Sequence, residues 1–83
     1  MALIMPSRVF KQLSALPKAD ARRLLDRLER IALAPDAMHL GVTALVGEMS
    51  VYRVRHGDWR AVFRIADGDV IVDRVAHRRE VYR

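Results

Sequence analysis

Cysteine is absent from all 83 residues, which excludes disulfides, thiolate chemistry and a cysteine-based zinc site. A glycine-rich phosphate loop, His and carboxylate residues at metal-ligand spacing, and a G-x-S-x-G elbow are missing too. No metal or cofactor is therefore expected, and an active site would have to be built from Arg, His, Tyr and Asp. Long apolar runs are lacking. Met1-Ala2-Leu3-Ile4-Met5 has no basic leader and is too short for a signal peptide or a membrane span, so the expected compartment is the cytoplasm, without a membrane partner. Lysine is nearly absent: it occurs only at Lys11 and Lys18, and every cation from Tyr52 onward is arginine. Proline is scarce, and each of its three residues marks a boundary.

The net charge is +5 and the sequence pI is near 10.7, which points to nucleic acid or an acidic protein partner. Arginine carries a planar fork that matches phosphate bidentately, so arginine-only usage favours phosphate recognition over diffuse solubilising charge. A chain this short makes one domain, 1–83, with a modest core.

The most informative stretch is Tyr52-Arg53-Val54-Arg55-His56-Gly57-Asp58-Trp59-Arg60-Ala61-Val62-Phe63. Apolar and polar residues alternate on both sides of Gly57-Asp58, the pattern of a hairpin with a two-residue turn. Counting outward pairs His56 with Trp59, Arg55 with Arg60, Val54 with Ala61, Arg53 with Val62 and Tyr52 with Phe63. One face then carries Tyr52, Val54, Trp59, Ala61, Phe63 and Ile65 as core, with Trp59 and Tyr52 as packing residues. The other face carries Arg53, Arg55, Arg60 and Arg64.

Like charges opposed on a sheet are destabilising. Two unit charges about 4 Å apart repel by about 1 kcal/mol in water and about 4 kcal/mol at an effective dielectric of 20. Stability alone would not set Arg55 across from Arg60, so the face reads as an anion site, with phosphate as the natural ligand. Asp69 and Asp73 are the carboxylates expected nearby.

Elsewhere, Ala2 to Met5 reads as an edge strand. Pro6 opens a helix over Ser7–Leu16, and Pro17 ends it. Ala21, Leu24, Leu25, Leu28, Ile31 and Ala32 define a second helix, closed by Pro35, whose arginines read as a solvated face. Pro35 to Gly47 has no clear period; Met38 and Leu40 are expected to pack beneath it, and His39 reads as a loop residue. Asp67-Gly68 is a second two-residue turn that sets Val70 opposite Ile65 and Val72 opposite Phe63, with Asp73 on the arginine face. The fold class is α+β: an N-terminal helix hairpin packed on an antiparallel β-meander, in the order β-α-α-β-β-β.

The helix pair, Leu45-Val46-Gly47, the hairpin stretch and His77-Arg78-Arg79-Glu80-Val81-Tyr82 together resemble the RelE/ParE toxins of bacterial toxin–antitoxin pairs. The resemblance spans nearly the whole chain. RelE-like members are ribosome-dependent endoribonucleases that cut messenger RNA; ParE-like members share the fold and poison DNA gyrase; a third possibility is an inactive member that only sequesters antitoxin. The resemblance sets Arg53 and Arg55 at second-strand positions that are basic, and often lysine, in the nuclease. Arg60 matches its third-strand arginine, and Arg78 and Tyr82 match the arginine and tyrosine near its C-terminus. It also implies a cognate antitoxin, RelB-like or otherwise acidic and partly disordered, and messenger RNA on the ribosome as a partner.

Metal-independent RNA cleavage uses the ribose 2′-OH as nucleophile and needs cations, a base and an acid. Arg60 and Arg78 are the expected catalytic cations, and Arg53, Arg55 and Arg64 the expected phosphate-binding ones. Arginine stays protonated, so the proton must move through another group. Tyr82 ranks first if guanidinium neighbours lower its pKa, His77 second, and His56 third because the hairpin count sets it on the core side beside Trp59.

Overall fold

Two tight turns set the register of the sheet. In the computed structural model, which describes residues 2–45, 47 and 49–81, Gly57 has a φ of +56°, while Asp58 is not left-handed, as a type II′ turn requires. Asp67 and Gly68 both have positive φ, the type I′ pattern. The elements run β1 (Leu3–Ile4), α1 (Ser7–Ser14), α2 (Lys18–Leu33), β2 (Val42–Ala44), β3 (Val51–His56), β4 (Trp59–Ala66) and β5 (Asp69–His77). Every pair counted from Gly57-Asp58 is present, from His56 with Trp59 to Tyr52 with Phe63.

The sheet has the order β1-β5-β4-β3-β2. It differs from the expected meander in two ways. β1 pairs in parallel with β5, through Leu3 with Val70 and Ile4 with Ile71, so the sheet is mixed. β2 adds a strand within the stretch that showed no period, pairing antiparallel with β3. Three residues are too few for alternation to register in sequence.

Pro6 and Pro17 sit at the N-caps of α1 and α2, where a missing N–H costs nothing. Both helices cover one face of the sheet, α1 over β5 and α2 over β3. Val9, Leu24, Leu28, Val54, Phe63, Val70 and Val72 are fully buried between the layers. Each such side chain contributes about 1.5–3 kcal/mol of burial.

Val75 is also buried, although it lies three residues from Val72. A strict two-residue period would send it to the other face. A bulge opposite Val62/Phe63 inserts Asp73: Phe63 pairs with Val72, but Val62 pairs with Arg74. The slip returns Val75 to the core side opposite Ala61.

Met38 and Leu40 do not pack beneath the loop. Met38 is fully exposed and Leu40 is 85% exposed; polar contacts hold the segment before β2 instead. Leu40 O accepts from Arg27, and His39 Nε2 lies 2.8 Å from Ala34 O.

Candidate functional site

The uncovered face of the hairpin brings Arg53, Arg55 and Arg60 together, and Arg78 joins them from the residues after β5. The mechanism of that joining is the turn itself. Asp58 O accepts the Arg78 N–H at 2.7 Å, and Asp58 Oδ1 lies 3.4 Å from Arg78 Nε. Arg60 folds back over the turn, with Nη1 donating to Gly57 O (2.7 Å) and Trp59 O (2.9 Å). Its pKa is held below the ordinary guanidinium value, first by partial burial and then by the charges of Arg53, Arg55 and Arg78, against a smaller opposing pull from Asp58. Four guanidinium groups therefore share one end of the face. The environment disfavours the charge of Arg60, and an anion would relieve that.

Arg64 stands apart. It is four residues along β4 from Arg60, a separation of about 13 Å at strand rise. Its Nε lies 3.2 Å from Asp73 Oδ1, the carboxylate that the bulge presents. Asp69 turns away, its Oδ1 accepting the Ala2 N–H at 2.9 Å.

The two candidate histidines are placed differently. His77 pairs with Trp59 across β4 and β5, so it belongs to the helix-side face. Its ring meets the indole edge-on at 5.4 Å, and its Nδ1 accepts the Arg79 N–H at 3.3 Å. His56 is a rim residue, as its register requires, with Nε2 3.3 Å from Asp20 Oδ1 at the start of α2. Tyr52 stacks on Phe63 at 5.6 Å, and both it and Trp59 pack against the core rather than serving as open platforms. Tyr82 lies outside the described residues; Val81 before it is buried, and its carbonyl accepts from Arg74 Nη1 at 2.6 Å. Among the described residues, no group of three His, Asp or Glu side chains could hold a metal ion, and no helix is long and apolar enough to cross a membrane.

One site residue was missed in the sequence. Arg27 is not simply part of a solvated helix face. β2 begins at Val42, and just before it Gly41 O accepts the Arg55 N–H at 3.2 Å; there Arg27 reaches round from α2. Its Nη1 donates to Leu40 O at 2.8 Å. Gly41, at a φ of +78°, makes the passage: a Cβ there would stand 3.0 Å from Arg27 Nη1 and 3.3 Å from Arg55 Cγ. Arg27, Leu40, Gly41, Arg55, His56, Gly57 and Arg60 line a cleft of about 390 Å³. Nothing within α2 distinguishes Arg27 from Arg22 or Arg23, so no local signal could have singled it out.

The family model described as the ParE toxin of the type II toxin–antitoxin system parDE matches residues 7–82. The chain belongs to this toxin family. Solved structures of RelE toxins share the fold of this ParE-family chain. The archaeal RelE–RelB complex from Pyrococcus horikoshii OT3 aligns at a TM-score of 0.79 and 26% identity, over 96% of this chain and 97% of that one. The RelB–RelE complex from Methanococcus jannaschii aligns at 0.78 and 21%, over 95% and 94%. The isolated E. coli RelE toxin aligns at 0.76 and 20%, over 90% and 81%. No curated protein matches the chain. The protein is thus a toxin of a type II toxin–antitoxin system, within the RelE/ParE superfamily.

Proposed function

We propose that this toxin is a metal-independent endoribonuclease that cuts messenger RNA on the ribosome and so arrests translation. The observation that carries the reading is the crowding of Arg53, Arg55, Arg60 and Arg78 at one end of the open face, where, among the described residues, Asp58 is the carboxylate that offsets the lowered pKa of Arg60. In the proposed reaction the 2′-oxygen attacks the adjacent phosphorus and loses its proton to a base. The P–O5′ bond breaks, and the leaving 5′-oxygen takes up a proton. Negative charge grows on the phosphate oxygens between these events. Arg60 and Arg78 stabilise that charge, and Arg53 and Arg55 hold the flanking backbone; preorganised donors act most strongly where charge develops. Arg64, neutralised by Asp73, would contribute only weakly to the flanking phosphate contacts. Tyr82 is the proposed proton-transfer group, since it follows Arg78 by four residues in sequence, whereas His77 faces the helix side with Trp59.

The partner that restrains the toxin is proposed to be an acidic antitoxin, as the structures of RelE toxins bound to RelB suggest. Such a segment would be disordered when free and would fold as it binds the arginine face.

The second reading is inhibition of DNA gyrase without nuclease chemistry; the ParE description of the matching family favours it. Induction in cells separates the two. Translation-dependent messenger RNA 5′ ends support the nuclease. Intact transcripts with gyrase-linked DNA breaks would replace it with the gyrase reading.

A further inference from the structure

The open face of the hairpin does not end at its edge. Three clefts share Arg27: the 390 Å³ cleft with Arg55 and Arg60, a 220 Å³ cleft with Arg23, Asp26, Arg30 and His56, and a 180 Å³ cleft with Arg30, His39 and Leu40. Arg23, Arg27 and Arg30 lie at i, i+4 and i+7 and so form one stripe along α2. Among the described residues none of the three, nor Arg55, forms an ion pair: the ion pairs there join His56 to Asp20, Arg64 to Asp73 and Arg78 to Asp58. Asp26 lines the second cleft with them, and Asp20, three residues before Arg23, lies 3.3 Å from His56.

We propose that this stripe is the continuation of the phosphate site, a track on which a single-stranded RNA passes from the hairpin arginines past Gly41 onto α2. The inference rests on the reading of the hairpin as a phosphate site and extends it to the contacts that hold the strand. A plain solvated helix face would not require the passage at Gly41, where a left-handed glycine keeps Arg27 and Arg55 in reach of one another. The path also selects the kind of nucleic acid. It turns from one face of the sheet to the helix layer within a body of 30 × 25 × 24 Å. A duplex, stiff over about 150 base pairs, does not follow such a turn, and a single strand does.

The test uses the full chain and a short fluorescein-labelled 2′-O-methyl RNA, which keeps the phosphates and lacks the nucleophile. Affinity is measured by anisotropy across a salt series. For single strands log K falls with log salt by about 0.7 per phosphate contact. An Arg23→Gln, Arg30→Gln double variant, altering two exposed side chains, should lower the slope by about 1.4, if each contacts one phosphate. Its thermal melt should match that of the parent. A slope and affinity equal to the parent's would overturn the track while leaving the hairpin site intact. Failure of Arg55→Gln to lower the slope would instead count against the hairpin site. A blunt DNA duplex of equal length, binding as tightly and losing as much in the double variant, would overturn the single-strand assignment.

Discussion

The two ends of the open sheet face carry the same residue type in opposite electrostatic states. At the turn end, Arg60 is crowded by Arg53, Arg55 and Arg78, and its charged form is disfavoured. At the far end, Arg64 faces Asp73 at 3.2 Å, and the bulge that presents this carboxylate also returns Val75 to the core. A face built only for solubility would distribute acids evenly. Here the crowding of like charge is confined to the end where the turn, the residues after β5 and α2 meet, which is where a ligand's negative charge would be most stabilising.

The sharpest way to exploit this contrast is to ask where the proton moves. Tyr82→Phe keeps the ring and removes one oxygen. If Tyr82 transfers the proton, single-turnover cleavage on programmed ribosomes should fall about a hundred- to ten-thousand-fold, with the melting temperature unchanged. A rate within about threefold of wild type would transfer the role to His77, although that ring faces Trp59; His77→Gln should then fail.

Next in size is the cation itself. Arg60→Ala should cost about a hundred- to a thousand-fold in the same assay, as loss of one preorganised donor does elsewhere. Arg64→Ala, at the neutralised end, should change the rate by less than about threefold, in line with an exposed pair. Equal losses at both positions would abolish the distinction between the ends.

How legible was this in the sequence? The hairpin could be counted residue by residue because a two-residue turn leaves no freedom in register, and face assignment follows from register. The face of the four arginines, the rim position of His56 and the packing of Tyr52 and Trp59 all came from that one count. What lay hidden depends on events that no short window reports. The slip at Val62/Phe63 is a backbone choice that only the spacing of Val72 and Val75 hints at. β2 is three residues long and pairs with a strand eight residues further on or more. Arg27 reaches the cleft only because Gly41, just before β2, turns left-handed beside Arg55. Met38 and Leu40 stay exposed despite their apolar character, because residue type does not report which loop side chains a neighbour covers.

A third test works on the passage beside the crowded end. Gly41→Ala adds a methyl 3.0 Å from Arg27 Nη1 at a φ of +78°. Small displacements of positioned groups carry large rate penalties, so cleavage should fall about ten- to a hundred-fold. Gly47 is the control. Its φ is +82°, but an added Cβ meets nothing within 4 Å. Gly47→Ala should therefore show the same kind of backbone strain in a melt and leave cleavage near wild type. Equal losses of activity in both variants would assign the effect to strain alone.

The smallest effect carries the clearest sign. Removing Arg64 breaks an ion pair that is about half exposed, worth at most about 1 kcal/mol, so Arg64→Gln should lower the melting temperature by no more than about 8 °C. Removing Arg60 acts in the other direction. Its pKa in the folded chain is lowered, so its charge opposes folding; the group stays protonated in both states at neutral pH, and the penalty is constant there. It would lapse only in strong alkali, so salt rather than pH is the variable to use. At low salt Arg60→Gln should melt at or above wild type, despite losing the hydrogen bonds to Gly57 O and Trp59 O. Added salt should raise wild type toward the variant by screening the four guanidinium groups. For Arg64→Gln the gap should narrow with salt from the opposite side, as the Arg64–Asp73 attraction is screened. Two variants of the same residue type, on one strand, would then respond to salt with opposite signs. A lower melting temperature for Arg60→Gln at low salt would mean that its two turn hydrogen bonds outweigh the repulsion, and the crowded end would be a structural brace rather than a strained anion site.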